Sequence, residues 1–135
     1  MVNRELAGDY IGRCRKRLLA IEVLLREKAY PDVVRESQEV VELGLKALLR
    51  TFGIAVPAVH DVSEALKRNK RRLPRGLQRK VPRLCEISKS LRRDREMAFY
   101  GSEDVTPSRF YTRSDACEAL AMARAVIHTA GAFVR

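Results

Sequence analysis

Arginine dominates the groups in this chain that can do chemistry, and it crowds into two stretches. The first is LRRDREMAFYGSEDVTPSRFY, residues 91–111. There Arg92, Arg93 and Arg95 interleave with Asp94 and Glu96, and Tyr100 and Tyr111 follow. A guanidinium presents two parallel donors to a phosphate, so the cluster is an anion site by residue type. Asp94 and Glu96 are placed to hold the arginines and limit their mutual repulsion. Tyr100 and Tyr111 can hydrogen-bond a phosphate or stack on a base. The second stretch is KRNKRRLPRGLQRKVPR, residues 67–83. It carries Lys67, Arg68, Lys70, Arg71, Arg72, Arg75, Arg79, Lys80 and Arg83, and no acid. Such a density cannot pack internally and must be solvated or bound to anions. Pro74, Gly76 and Pro82 interrupt regular helix, which predicts a mobile loop or a short irregular helix suited to phosphate contacts. Only Leu73, Leu77 and Val81 are available to anchor it. No aromatic interleaves with its charges, so it lacks a stacking platform of its own.

Other chemistries are poorly represented. The only histidines are His60 and His128, so acid–base work near neutral pH has two candidates. Cys14, Cys85 and Cys117 are odd in number and far apart, with no CxxC, so neither a zinc site nor a disulfide framework is indicated. They read as small core fillers in a reducing compartment. There is no Walker loop, GxGxxG, GxSxG or HExxH. No metal or cofactor is implied. The formal charge of +10, from 27 Lys and Arg against 17 Asp and Glu, predicts an anionic partner. No apolar run is long enough for a membrane span, and the start of the chain lacks an apolar signal core; the expectation is a cytoplasmic protein.

The elements that must position these groups are helices, and 135 residues suit one domain spanning 1–135. A first helix is expected from about Asn3 to Lys28, with Asn3 as N-cap and Leu6, Tyr10, Cys14, Leu18, Ile21 and Leu25 on one face. Arg13, Arg15, Lys16 and Arg17 form its opposite side, read as a solvated face, with contact to a polyanion as the alternative. Pro31 opens a second helix that runs to about Phe52, with Gly53 as its C-terminal cap. Gly44 in its interior costs about 1 kcal/mol against alanine and signals close approach of another helix. Arg35, Glu39, Glu42 and Lys46 make a second stripe; Glu39 and Glu42 are the nearest acids to neutralise Arg93 or Arg95. His60 precedes a short helix, 61–68. A fourth helix covers about 81–100. Thr112 and Asp115 form a capping box that opens the last. That helix repeats Ala116, Leu120, Ala123, Ile127, Ala130 and Val134, a seam for a close partner that is either internal or a second subunit. No segment alternates as a strand does. The expected fold is all-α, an up-and-down bundle of four long helices plus a short fifth.

Leu84, Ile87, Leu91 and Ala98 line the inward face of the fourth helix, and the remaining place on that stripe belongs to Asp94 or Arg95. A charge there must be paired or hydrogen-bonded. Structural ion pairs involving Glu39, Glu42, Asp94 and Glu96 are one reading; a functional site is the other.

Several segments resemble HEPN (higher eukaryotes and prokaryotes nucleotide-binding) domains. The second helix, YPDVVRESQEVVELGLKALL, is similar to the family's hallmark helix. Gly53 and His60 leading into the short helix, LRRDREMAFYG (residues 91–101), and YTRSDA (residues 111–116) are similar to later elements. The resemblance covers about 30–134 and implies a four- to five-helix bundle and a symmetric dimer whose motif helices meet at the axis. Many members are metal-independent ribonucleases that use an Arg, a following polar residue, and a His a few positions on. Arg93-Asp94 matches the first half. Ala98, Phe99 and Tyr100 stand where the His is expected, and none of them is a proton shuttle near pH 7. Arg95-Glu96-Met97-Ala98-Phe99-Tyr100-Gly101 is instead similar to members that lack the His and are suggested to bind nucleotide or nucleic acid, often beside a minimal nucleotidyltransferase. The resemblance therefore implies a non-catalytic nucleotide- or nucleic-acid-binding homodimer, and extends to pairing with a minimal nucleotidyltransferase in a toxin–antitoxin-type module. Its binding residues would be Arg92, Arg93, Arg95, Tyr100 and Tyr111, with the basic 67–83 stretch beside them. One alternative is a divergent metal-independent endoribonuclease toxin using Arg93, Asp94 and Tyr100 or His60. Another is a purely structural interaction subunit.

Overall fold

The computed structural model describes residues 3–58 and 61–134, apart from the side chain of Glu96. His60 lies outside the described residues. The fold is all-α. Four long helices, α1 (Arg4–Arg26), α2 (Tyr30–Thr51), α5 (Val81–Tyr100) and α7 (Arg113–Phe133), form the bundle. The short pieces are α3 (Val62–Arg68), a 3₁₀ turn (Lys70–Arg72), α4 (Arg75–Gln78) and α6 (Pro107–Phe110). The expected bundle is present, and three short turns join the one short helix that was expected.

Local chemistry sets the helix ends. The Asn3 carboxamide accepts from Leu6 N at 3.0 Å. Pro31 sits in the first turn of α2, where its missing N–H costs nothing. Gly53, at φ 66°, follows the last turn of α2 in the left-handed region. Thr112 and Asp115 form the reciprocal capping box at the start of α7.

α2 is the central helix and packs most extensively on α1 and α7, then on α5. Ile127 Cδ1 of α7 would lie 2.6 Å from a Cβ at Gly44. The seam of Ala116, Leu120, Ala123, Ile127 and Ala130 is buried. Its partner is therefore internal, α2 with α1, and not a second subunit. Paired residues give the directions. Arg124 bonds Glu22, and Arg15 lies over Gly131, so α7 runs antiparallel to α1. Arg95 meets Glu39 and Arg35 meets Phe99, so α5 runs antiparallel to α2. On α1 the buried positions are Ala7, Ile11, Cys14 and Ile21, with Leu6, Tyr10, Leu18 and Leu25 only partly covered. The packed face is thus turned slightly from the larger apolar residues, because α1 wedges between two helices. Cys14 and Cys85 are buried core fillers, and burial pushes the Cys14 thiol up to about 11. Cys117, in contrast, is exposed on the outer side of α7.

The basic stretch takes the second of its two expected forms, the short irregular helix. It is folded into short helical turns, not a loop, because Leu73, Leu77 and Val81 are all buried. Gln78 Nε2 donates to Leu73 O at 2.8 Å, and Arg72 donates to Gly53 O at 2.9 Å, over the C-terminal end of α2. Arg72 is consequently a structural cap as well as a surface cation.

Gly101 ends α5 at φ 75°, and a Cβ there would lie 2.7 Å from both Val105 O and Pro107 Cδ. Replacing it with alanine adds left-handed strain and a backbone clash. Gly101→Ala is expected to destabilise the fold by about 1–3 kcal/mol, read as a lowered melting temperature; an unchanged melting temperature would contradict this turn geometry.

Candidate nucleotide-binding cleft

α5 splits its charged residues between three directions. Leu84, Ile87, Leu91 and Ala98 face the core, all at 3% exposure or less. Asp94, and not Arg95, takes the remaining place on that stripe. Its Oδ1 accepts from the Tyr111 hydroxyl at 2.9 Å. Tyr111 is 5% exposed, and burial, reinforced by the Asp94 carboxylate, holds its phenol well above the ordinary range. It remains a neutral donor. This corrects the expectation that Tyr111 contacts ligand: its hydroxyl is already committed, and its ring is packed edge-to-face on Phe110.

Arg92, Arg95 and Phe99 lie on the flank of α5 that faces the edge of α2. Together with Arg35 of α2 and Tyr100 they line an open cleft of about 410 Å³. The Arg35 guanidinium carbon sits 4.3 Å from the Phe99 ring centroid, a preformed cation–π stack. Each arginine meets one acid. Arg35 Nη1 lies 3.0 Å from Glu36 Oε1, Arg95 Nη2 lies 3.2 Å from Glu39 Oε1, and Arg92 Nη1 lies 3.9 Å from Asp61 Oδ1. Asp61 is itself fixed as the cap of α3, accepting from Ser63 N at 2.9 Å. A guanidinium carries five donors, so one carboxylate leaves another edge for an incoming anion. Phe99 and Tyr100, 49% and 74% exposed, stand edge-to-face beside these donors as apolar surface for a base.

The remaining sequence-derived candidates fall elsewhere. Arg93 projects from the exposed side of α5, about 100° round the helix from Arg92, and does not line the cleft. Arg93, Asp94 and Tyr100 are therefore not gathered into one constellation: Asp94 turns inward to Tyr111, while Arg93 and Tyr100 are exposed. Glu42 does not reach α5. It accepts from Gln38 Nε2 at 3.4 Å and lines a groove with Arg13, Arg17 and Lys46 on the α1 side. Lys67, Arg68, Lys70, Arg71, Arg75, Arg79 and Lys80 lie near the opposite end of α5 from the cleft. Sequence reasoning missed Arg35 and Phe99 as lining residues. The signal was faint: Arg35 shares a stripe with Glu39, but nothing in sequence sets the register of α2 on α5.

The HEPN domain family matches residues 7–132, nearly the whole chain. The chain belongs to that family, a membership that supports a nucleotide- or RNA-related role in general. Neither the curated proteins nor the solved structures contain a match. No helix among the described residues is long and apolar enough to cross a membrane.

The Asp94–Tyr111 bond joins the middle of α5 to the start of α7. Tyr111→Phe removes the donor from a half-buried carboxylate and is expected to cost about 1–2 kcal/mol. Asp94→Asn, which can still accept, should cost less. Denaturant unfolding of the two variants checks the order; equal losses would mean that the bond depends on the carboxylate charge and that a neutral acceptor cannot replace it.

Proposed function

We propose that this HEPN protein is a non-catalytic nucleotide- or nucleic-acid-binding module that works as a homodimer. The observation that carries the reading is the cleft between α2 and α5. Arg35, Arg92 and Arg95 converge there beside two exposed aromatic rings. Arginine edges suit phosphate oxygens, and Phe99 and Tyr100 suit a base. The carboxylates of Glu36, Glu39 and Asp61 pre-orient the arginines, so less rotamer freedom is lost on binding. Within Arg95–Gly101, the similarity to family members lacking the motif His favours binding over cleavage. The same similarity supports a minimal nucleotidyltransferase as protein partner, within a toxin–antitoxin-type module. The homodimer reading rests on the family resemblance.

Arg35→Ala and Arg92→Ala are each expected to weaken binding of a labelled single-stranded RNA about tenfold, about 1.4 kcal/mol, with melting temperature little changed. Anisotropy at low salt reads the affinity, and a denaturing gel of the same mixtures in EDTA reads RNA integrity. Unchanged affinity in both variants would sink the cleft. RNA fragments that vanish in Arg93→Ala would replace binding by the ribonuclease alternative.

A further inference from the structure

The cleft is charge-balanced, whereas the basic stretch is not. Three arginines of the cleft face three carboxylates. Beyond the other end of α3, Arg68, Lys70, Arg71, Arg75, Arg79 and Lys80 take part in no ion pair among the described residues. All but Lys70 are exposed. The turns that carry them are anchored by Leu73 and Leu77, so this is a folded shelf with set spacing. The two features lie along one edge of the bundle. Asp61 pairs with Arg92, Glu64 bonds Lys89 at 2.6 Å, and Cys85 Sγ donates to Ser63 O at 3.3 Å. α3 therefore runs antiparallel to α5, from the cleft toward the shelf. From Arg95 to Val81 the rise of α5 spans about 20 Å.

We infer that the ligand is a single-stranded polynucleotide whose base enters the Arg35–Arg92–Phe99–Tyr100 cleft while its backbone runs along α3 to the 67–83 shelf; this rests on the cleft reading above. The division of chemistry supports it. The exposed rings Phe99 and Tyr100 stand at the cleft beside its arginines, where an unpaired base can stack, and a duplex hides its bases from them. The shelf segment carries cations and no aromatic of its own, and the Phe133 ring against Gly76 is only partly exposed, which suits backbone phosphates of any sequence. A mononucleotide would leave the shelf empty. At about 3.4 Å per stacked nucleotide, roughly six nucleotides cover the span.

The test uses labelled oligoadenylates of 2 and 12 nucleotides, a 12-base-pair duplex, and a quadruple variant of exposed shelf residues, Arg71→Ser, Arg75→Ser, Arg79→Ser and Lys80→Ser. The dodecamer should bind the wild type at least tenfold more tightly than the dinucleotide. The variant should lose most of that gain, with a shallower salt slope by about 2–3, and should bind the dinucleotide as the wild type does. Equal affinity for the two lengths, or a gain that survives in the variant, overturns the spanning ligand and leaves the cleft reading intact. A duplex bound as tightly as the single strand also overturns it. Dodecamer binding that ignores Arg92→Ala, with no dinucleotide binding, overturns the cleft reading and the spanning ligand together.

Discussion

The close approach of α2 and α7 is the constraint on which the rest of the bundle depends. Both helices run the same way, so they are diagonal partners in an up-and-down arrangement, where contact is ordinarily looser. Here Gly44 leaves room for Ile127, and alanines along α7 keep its inward face shallow. Dispersion rewards this proximity, since packed atoms lose contacts quickly with distance. α2 thereby becomes the core of the molecule, with Val33, Val40, Leu45, Leu48 and Leu49 essentially inaccessible. α1 and α5 flank it.

Because α2 is buried on so much of its surface, its polar residues are confined to narrow strips. One such strip carries Arg35, Glu36 and Glu39, and α5 lies against it. That single juxtaposition creates the cleft. It supplies Glu39 to Arg95 and sets Arg35 on Phe99. The angular position of α5 is held from the opposite flank, where Asp94 accepts from Tyr111 at the start of α7. A charge on an inward stripe thus works as a structural tie. The cleft arginines and their acids form partly exposed pairs, worth little in stability. Their effect is orientation.

The net positive charge is distributed unevenly over the surface. Near the cleft the acids nearly cancel the arginines, so its contribution is geometry and stacking surface. The long-range field originates largely at the 67–83 shelf, where no acid intervenes in the sequence. A polyanion would be drawn by the shelf and discriminated by the cleft, a division that couples salt-dependent encounter to local recognition.

Residue types and their periodicity determined the four long helices, their caps, the inward faces of α5 and α7, and the absence of strand patterning. These are local properties: capping geometry and burial period are written within a few turns of chain. The arginine-rich end of α5 was legible for the same reason. The register of α2 on α5 was not, because pairing Arg35 with Phe99 and Arg95 with Glu39 requires two helices distant in sequence to be docked at one depth. Nor could sequence decide that Asp94 and not Arg95 takes the inward place, or that Tyr111 spends its hydroxyl on it; both depend on where α7 begins relative to α5. The prolines and glycine of the basic stretch leave it open between a mobile loop and a short irregular helix, and burial of Leu73, Leu77 and Val81 against the bundle decides for helical turns. Only tertiary packing could make that decision, since three apolar anchors gain their stabilisation from partners outside their own segment.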